Sequence, residues 1–203
     1  GAAAAAGLWW QYHNVEPSVF LRRVGYDWAF ATIFPALFLT AAALRATLFA
    51  RARVRPRRPS RALLNLAVAA GAVSVILPLM LVSAWLVPLV WIGWALLLEP
   101  LNARAGRPSW LADLAAGDAS RLSALLASGL ACGVLWEFWN YWALTKWTYS
   151  LPYAGDLKVF EMPALGYLGF PPFALECFAI YHYIAGVLRR EPQSLTTLGS
   201  AIV

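Results

Sequence analysis

Charge is what this sequence has least of: Asp, Glu, Lys and Arg together make up 13% of its 203 residues, where a soluble domain carries about 25%. That shortage excludes a water-facing surface over most of the chain. Cysteine is limited to Cys132 and Cys177, both inside apolar runs, which excludes a disulfide-stapled secreted fold and leaves two core thiols. Histidine is limited to His13 and His182, and only the second falls within an apolar run, so no multi-histidine metal site can be built from it. There is no P-loop, no G-x-G-x-x-G, no H-E-x-x-H and no C-x-x-C, which removes most soluble enzyme classes. With 14 glycines and 13 prolines, collagen-like and low-complexity readings fall as well.

What the sequence does hold is apolar: 61% hydrophobic residues and a mean hydropathy of +0.61. Runs long enough to cross about 30 Å of hydrocarbon, some 20 residues each, fall at 25–50, 62–84, 86–103, 120–145 and 163–188. The pattern predicts an all-α integral membrane protein, a five-helix bundle forming a single domain over 1–203. Trp85–Pro88 splits the second and third runs, and Pro78 and Pro88 favour a hairpin over 62–103. The net charge of +6 does not imply nucleic acid, because the arginines sit in short segments beside the spans. Twelve of the sixteen basic residues, namely Arg45, Arg51, Arg53, Arg55, Arg57, Arg58, Arg61, Arg104, Arg107, Arg121, Arg189 and Arg190, fall on one side. The positive-inside rule then places that side in the cytoplasm, with the N-terminus outside the bacterial inner membrane and the C-terminus within. The Arg51–Arg61 run also suits anionic lipid head groups.

Gly1 to Gly7, with five alanines between, reads as the start of a fragment. An ungapped offset of 137 superposes Trp10 on Trp147, Tyr12 on Tyr149 and Pro35 on Pro172, so segments 10–45 and 147–182 read as a parallel repeat. On that reading a helix preceding Trp10 is missing, and the chain is the larger part of a two-repeat protein.

Ionisable residues inside spans are functional candidates by default. Glu137 lies among Trp136, Trp139, Asn140, Tyr141 and Trp142, and helical spacing puts Asn140 and Tyr141 on its own face. Glu176 follows Pro171-Pro172 in the last span, Glu161 stands at the mouth of that span, and Glu99 has Arg104 within reach. Glu137 and Glu176 are expected to form an acid pocket lined by Trp136, Trp139, Trp142, Tyr149, Tyr167 and Phe173, suited to a flat or polyene ligand. As neutral carboxylic acids they could protonate a carbon–carbon double bond beside cation-stabilising aromatic faces. The competing reading makes each acid a packing device, bonded to a neighbouring amide, hydroxyl or freed carbonyl. His182 is a candidate axial ligand for haem or a chlorophyll magnesium, but Tyr181-His182-Tyr183 also fits an interfacial aromatic belt. Gly129-x-x-x-Gly133, Gly166-x-x-Gly169 and the run Ala67, Ala70, Gly71, Ser74 are small faces for close helix approach, within the chain or against another subunit.

The stretch WEFWNYWALTKWTYSLPY, followed by KVFEMPALGYLGFPPFALECFAIYHY, resembles a family of uncharacterised bacterial polytopic membrane proteins built in two halves. That resemblance implies no activity. Two helices bearing acids, with proline before the second, also resemble membrane carotenoid cyclases and hydratases, although one acid rather than an adjacent pair follows Pro171-Pro172 here. Two functions follow as expectations. One is an accessory or scaffolding subunit contacting lipids and other transmembrane subunits, in a photosynthetic pigment–protein complex. The other is an intramembrane enzyme or binding protein for an isoprenoid, carotenoid or other lipid. The expected bound groups are accordingly lipid, carotenoid or a chlorophyll-type pigment; a proton-coupled transporter ranks third.

Overall fold

A computed structural model describes residues 10–81, 83, 85–149 and 157–188. The alanine-rich start, Arg189, Arg190 and part of the loop after Tyr149 lie outside the described residues. The order is β1 (Trp10–His13), α1 (Val19–Ala46), α2 (Arg61–Met80), α3 (Pro88–Arg104), α4 (Trp110–Ala115), α5 (Ser120–Trp142), β2 (Lys146–Tyr149), β3 (Lys158–Val159), β4 (Met162–Pro163), a 3-10 turn (Ala164–Gly169) and α6 (Phe170–Leu188). Serine starts three of the helices: Ser18, Ser60 and Ser109 accept the backbone N–H of Leu21, Leu63 and Ala112. Pro88 opens α3 from the first turn, where its missing N–H costs nothing.

Four helical segments have the length and apolarity to cross a membrane: Val19–Ala46, Arg61–Met80, Ser120–Trp142 and Ala164–Leu188. The protein is therefore a helical membrane protein. The fifth expected span, at α3, is not among them: its 17 residues reach about 25 Å, short of a hydrocarbon thickness of about 30 Å.

The helices pack in the order α2, α3, α6, α5, α1. Small residues set two of these contacts. A Cβ on Gly71 would collide with the Leu97 backbone nitrogen and lie 2.8 Å from the Gly93 carbonyl oxygen, so α2 and α3 touch backbone to backbone. A Cβ on Gly129 would lie 2.5 Å from the Phe170 carbonyl oxygen, which brings α5 equally close to α6. Leu37, Ala174 and Cys177 form one buried cluster, and Ala41, Leu125 and Phe178 a second. Phe20, Trp28, Leu39, Leu79 and Met80 are among the large apolar side chains left exposed, the arrangement that a lipid solvent favours.

The β1–β2 pair joins the two W-x-Y segments antiparallel, Trp10 opposite Tyr149 and Tyr12 opposite Trp147. The segments following them diverge. Residues 21–32 are helical in α1, whereas 158–169, their counterparts at an offset of 137, form β3, β4 and the 3-10 turn. Pro35 consequently lies inside α1 and Pro172 in the first turn of α6.

At the opposite, arginine-rich end, Asp118 accepts the Ser120 backbone N–H at 2.8 Å and pairs with Arg53 at 3.0 Å. The hydrogen bonds from Ser120 and the nearby guanidiniums hold its carboxyl below the usual aspartate range. Its folded value lies below the unfolded one, so its contribution is complete above the unfolded value, about pH 4, and is lost as pH falls through the folded value. Asp118→Asn should cost under about 1 kcal/mol at neutral pH, the scale of a partly exposed ion pair. Melting of both proteins in detergent across pH 2.5–7 checks this; the gap should close in acid, and an equal gap throughout would contradict it.

Candidate functional site at the aromatic end

The site is built from α5 outward. Gly133 lets the Phe170 ring lie against α5, and one turn further on Glu137 is completely buried. Its Oε1 accepts the Tyr149 hydroxyl at 2.6 Å, and the Trp147 indole N–H donates in turn to the Tyr149 oxygen. Burial, and then the Glu137 carboxylate, push the Tyr149 phenol far above its ordinary range, so it remains an O–H donor. Glu137 Oε2 has no hydrogen-bond partner among the described residues.

Asn140 locks this chain of donors to the helix. Its side-chain amide donates to the Trp147 carbonyl at 2.9 Å and accepts the Trp147 N–H at 3.0 Å, matching the backbone pattern of a strand partner. Trp136 stacks against the Trp147 ring, with centroids 5.5 Å apart. Asn140→Ala should strip both partners from a half-buried peptide group at a cost of about 2 kcal/mol. Hydrogen exchange should then accelerate at residues 146–149; unchanged protection there would rule out the clamp.

Tyr149 also lines a cavity of about 270 Å³ whose other walls include Trp91, Ile92, Met162, Gly169 and Pro172. A Cβ on Gly169 would strike the Trp91 ring, so glycine is what lets the 3-10 turn approach α3 here. The cavity is apolar apart from the tyrosine. Glu137 does not line it; it accepts the hydroxyl of Tyr149, which does.

The remaining candidates are dispersed. Tyr141 stands four residues after Glu137 but turns outward onto Phe160 and Trp142, so the expected contact with Glu137 is replaced by the one from Tyr149. Trp139 and Trp142 are exposed, the Tyr167 hydroxyl donates to the Val159 carbonyl, and Phe173 packs against the Leu37 cluster. Glu176 is buried with Oε2 unpartnered. Neither Glu137 nor Glu176 lines the cavity.

Glu99 corrects another expectation: it accepts Ser109 Oγ at 2.6 Å and the Leu111 N–H at 3.1 Å, while Arg104 reaches across to Asn65. Five residues of helical separation turn the arginine toward α2. Glu161 sits in the β3–β4 turn rather than at a helix mouth and pairs with Lys146 at 2.6 Å; His13 bonds Thr148. His182 lies against the Phe178 and Tyr181 rings at the other end of the bundle. Sequence reasoning missed Trp91, Ile92 and Met162 as cavity walls, and only Gly166-x-x-Gly169 marked the close approach that builds it. The chain matches no protein-family model, no curated protein and no solved structure.

Proposed function

We propose that this chain binds an apolar lipid of the isoprenoid or carotenoid type in the cavity beneath Tyr149, with Glu137 holding the tyrosine hydroxyl in place. One observation carries the reading: Tyr149 is at once a wall of the cavity and the donor to a buried carboxylate. A site lined by apolar groups with a single oriented polar one is how proteins fix a mostly apolar ligand. Its volume of about 270 Å³ lies just under the range of about 300–1,000 Å³ for whole small-molecule sites, so it suits one end of a long lipid. The exposed Ile92, Leu165 and Leu168 on its walls leave the rest of such a chain an exit toward the bilayer.

The arginine-rich end faces the cytoplasm on this reading, by the positive-inside rule, and the site belongs to the outer half of the bacterial inner membrane. The symmetric register of the two W-x-Y segments, Trp10 opposite Tyr149 and Tyr12 opposite Trp147, supports the two-repeat reading. The scaffolding reading is favoured by a different observation. In α1 only 12% of the most apolar window is buried, against 33% in α5, a face that a helix of another subunit would cover.

Lipid extraction from the full chain purified in mild detergent tests the binding function. Wild type should carry a neutral isoprenoid-class lipid at near-stoichiometric level, and Ile92→Trp, which fills the cavity from its exposed wall, should lose it. Equal extracts from the two proteins would contradict the proposal. Comigration with pigment-bearing subunits, together with an empty lipid extract, would transfer support to the scaffold.

A further inference from the structure

A second cavity, of about 390 Å³, lies at the opposite end of the bundle between α1, α5 and α6. Its wall is apolar, with Phe38, Ala42, Leu125 and Phe178 along it, and Arg45 and Arg121 stand at its rim. We propose that this crevice holds one acyl chain of an anionic phospholipid whose phosphate rests against the two guanidiniums.

The charges at the rim support an anion. Asp113 binds Arg121 Nε at 2.7 Å, and Asp118 binds Arg53 at 3.0 Å. Arg45 lies 3.9 Å from Asp113 and 3.7 Å from Asp118, beyond hydrogen-bond reach, and donates through Nε to Ser120 Oγ at 3.1 Å. Asp113 and Asp118 thus pair with three guanidiniums at the rim, and Glu99, within electrostatic reach of Arg121, keeps its carboxyl on Ser109 and Leu111, so Arg45 is the guanidinium held least closely by an acid. The Arg121 guanidinium lies over the Phe178 ring that lines the crevice, its centre 5.3 Å from the ring centroid, and planar guanidinium forks suit phosphate oxygens. His182 is also at the rim, its ring packed on Phe178 and Tyr181.

The apolar length of the crevice selects a lipid over a free phosphate. Phe38, Ala41, Leu125 and Phe178 line it and also belong to the second core cluster or pack against it, a surface that a soluble anion has no reason to enter. Trp110 packs on the same cluster, and its indole N–H has no acceptor among the described residues. This site is independent of the cavity beneath Tyr149, and either can fail alone.

The test titrates the delipidated full chain with dioleoyl phosphatidylglycerol, dioleoyl phosphatidylcholine or glycerol 3-phosphate and reads occupancy by native mass spectrometry. Phosphatidylglycerol should be retained about tenfold better than phosphatidylcholine, the scale set by one to two basic residues near a membrane surface. Arg45→Gln should bring that preference to within about threefold. Ala42→Trp, which plugs the crevice from an exposed position and leaves every arginine in place, should abolish retention of both lipids. Three results would overturn the proposal: equal retention of the two lipids by wild type, undiminished phosphatidylglycerol binding by Ala42→Trp, which assigns the lipid to the Arg51–Arg61 segment, or competition by glycerol 3-phosphate at the lipid's own concentration.

Discussion

Gly71→Ala is expected to cost about 3 kcal/mol, the upper part of the range for overpacking a tight contact. The added methyl meets the Leu97 backbone nitrogen, the Gly93 carbonyl oxygen and the Leu96 carbonyl carbon, and no rotamer change can move backbone aside. α2 must separate from α3, and because α3 also packs on α6, the wall carrying Trp91 and Ile92 should shift with it. Gly25→Ala is the internal control. Nothing lies within 4 Å of its added methyl, so the substitution should be neutral or stabilising by up to about 1 kcal/mol through helix propensity. Thermal or denaturant unfolding in one detergent compares the two. Equal stability of both variants would mean that α2 and α3 do not touch backbone to backbone at Gly71.

The second large effect concerns the Glu137–Tyr149 pair. Tyr149→Phe keeps the ring against the cavity but removes the donor to Glu137 and the acceptor for the Trp147 indole. Leaving a buried polar group without its partner costs about 1–3 kcal/mol, and Tyr149→Phe strands both the Glu137 carboxyl and the Trp147 indole N–H, so it should cost about 3 kcal/mol. Glu137→Leu removes the carboxylate but leaves a tyrosine hydroxyl short of its acceptor, and should cost a similar amount. The double variant should be more stable than the sum of the two losses implies, with a coupling of about 2 kcal/mol. Additive losses would show that the two side chains act independently, and Glu137 would then have no hold on the cavity.

The helices were legible in the sequence because their signal is compositional. Nearly every residue from Arg61 to Met80 or Ser120 to Trp142 must be compatible with lipid, whatever it touches. Contacts formed by folding back were far less legible. Helical spacing offered Glu137 two partners, Asn140 and Tyr141, yet its short contact comes from Tyr149, twelve residues away in a strand. The chain reverses between Trp142 and Lys146, and Asn140 holds the returning Trp147. No periodicity encodes such a return. Glu99 and Arg104 show the converse: nearness in sequence suggested an ion pair, while the turn after Arg104 delivers Ser109 and Leu111 to the carboxylate instead. The cavity walls come from α3, β2, β4 and the 3-10 turn, so only the tertiary arrangement brings them together.

Methionine supplies a direct probe of the cavity. The sequence has two, Met80 and Met162; Met80 is 75% exposed, while Met162 is 3% exposed and lines the cavity beneath Tyr149. With photo-methionine incorporated at both, irradiation in native membranes followed by peptide mass spectrometry labels the bulk lipid at one site and the cavity's contents at the other. Phospholipid adducts are expected at Met80 and a distinct, neutral isoprenoid-class adduct at Met162. The same phospholipids at both positions, or only polypeptide cross-links at Met162, would contradict it.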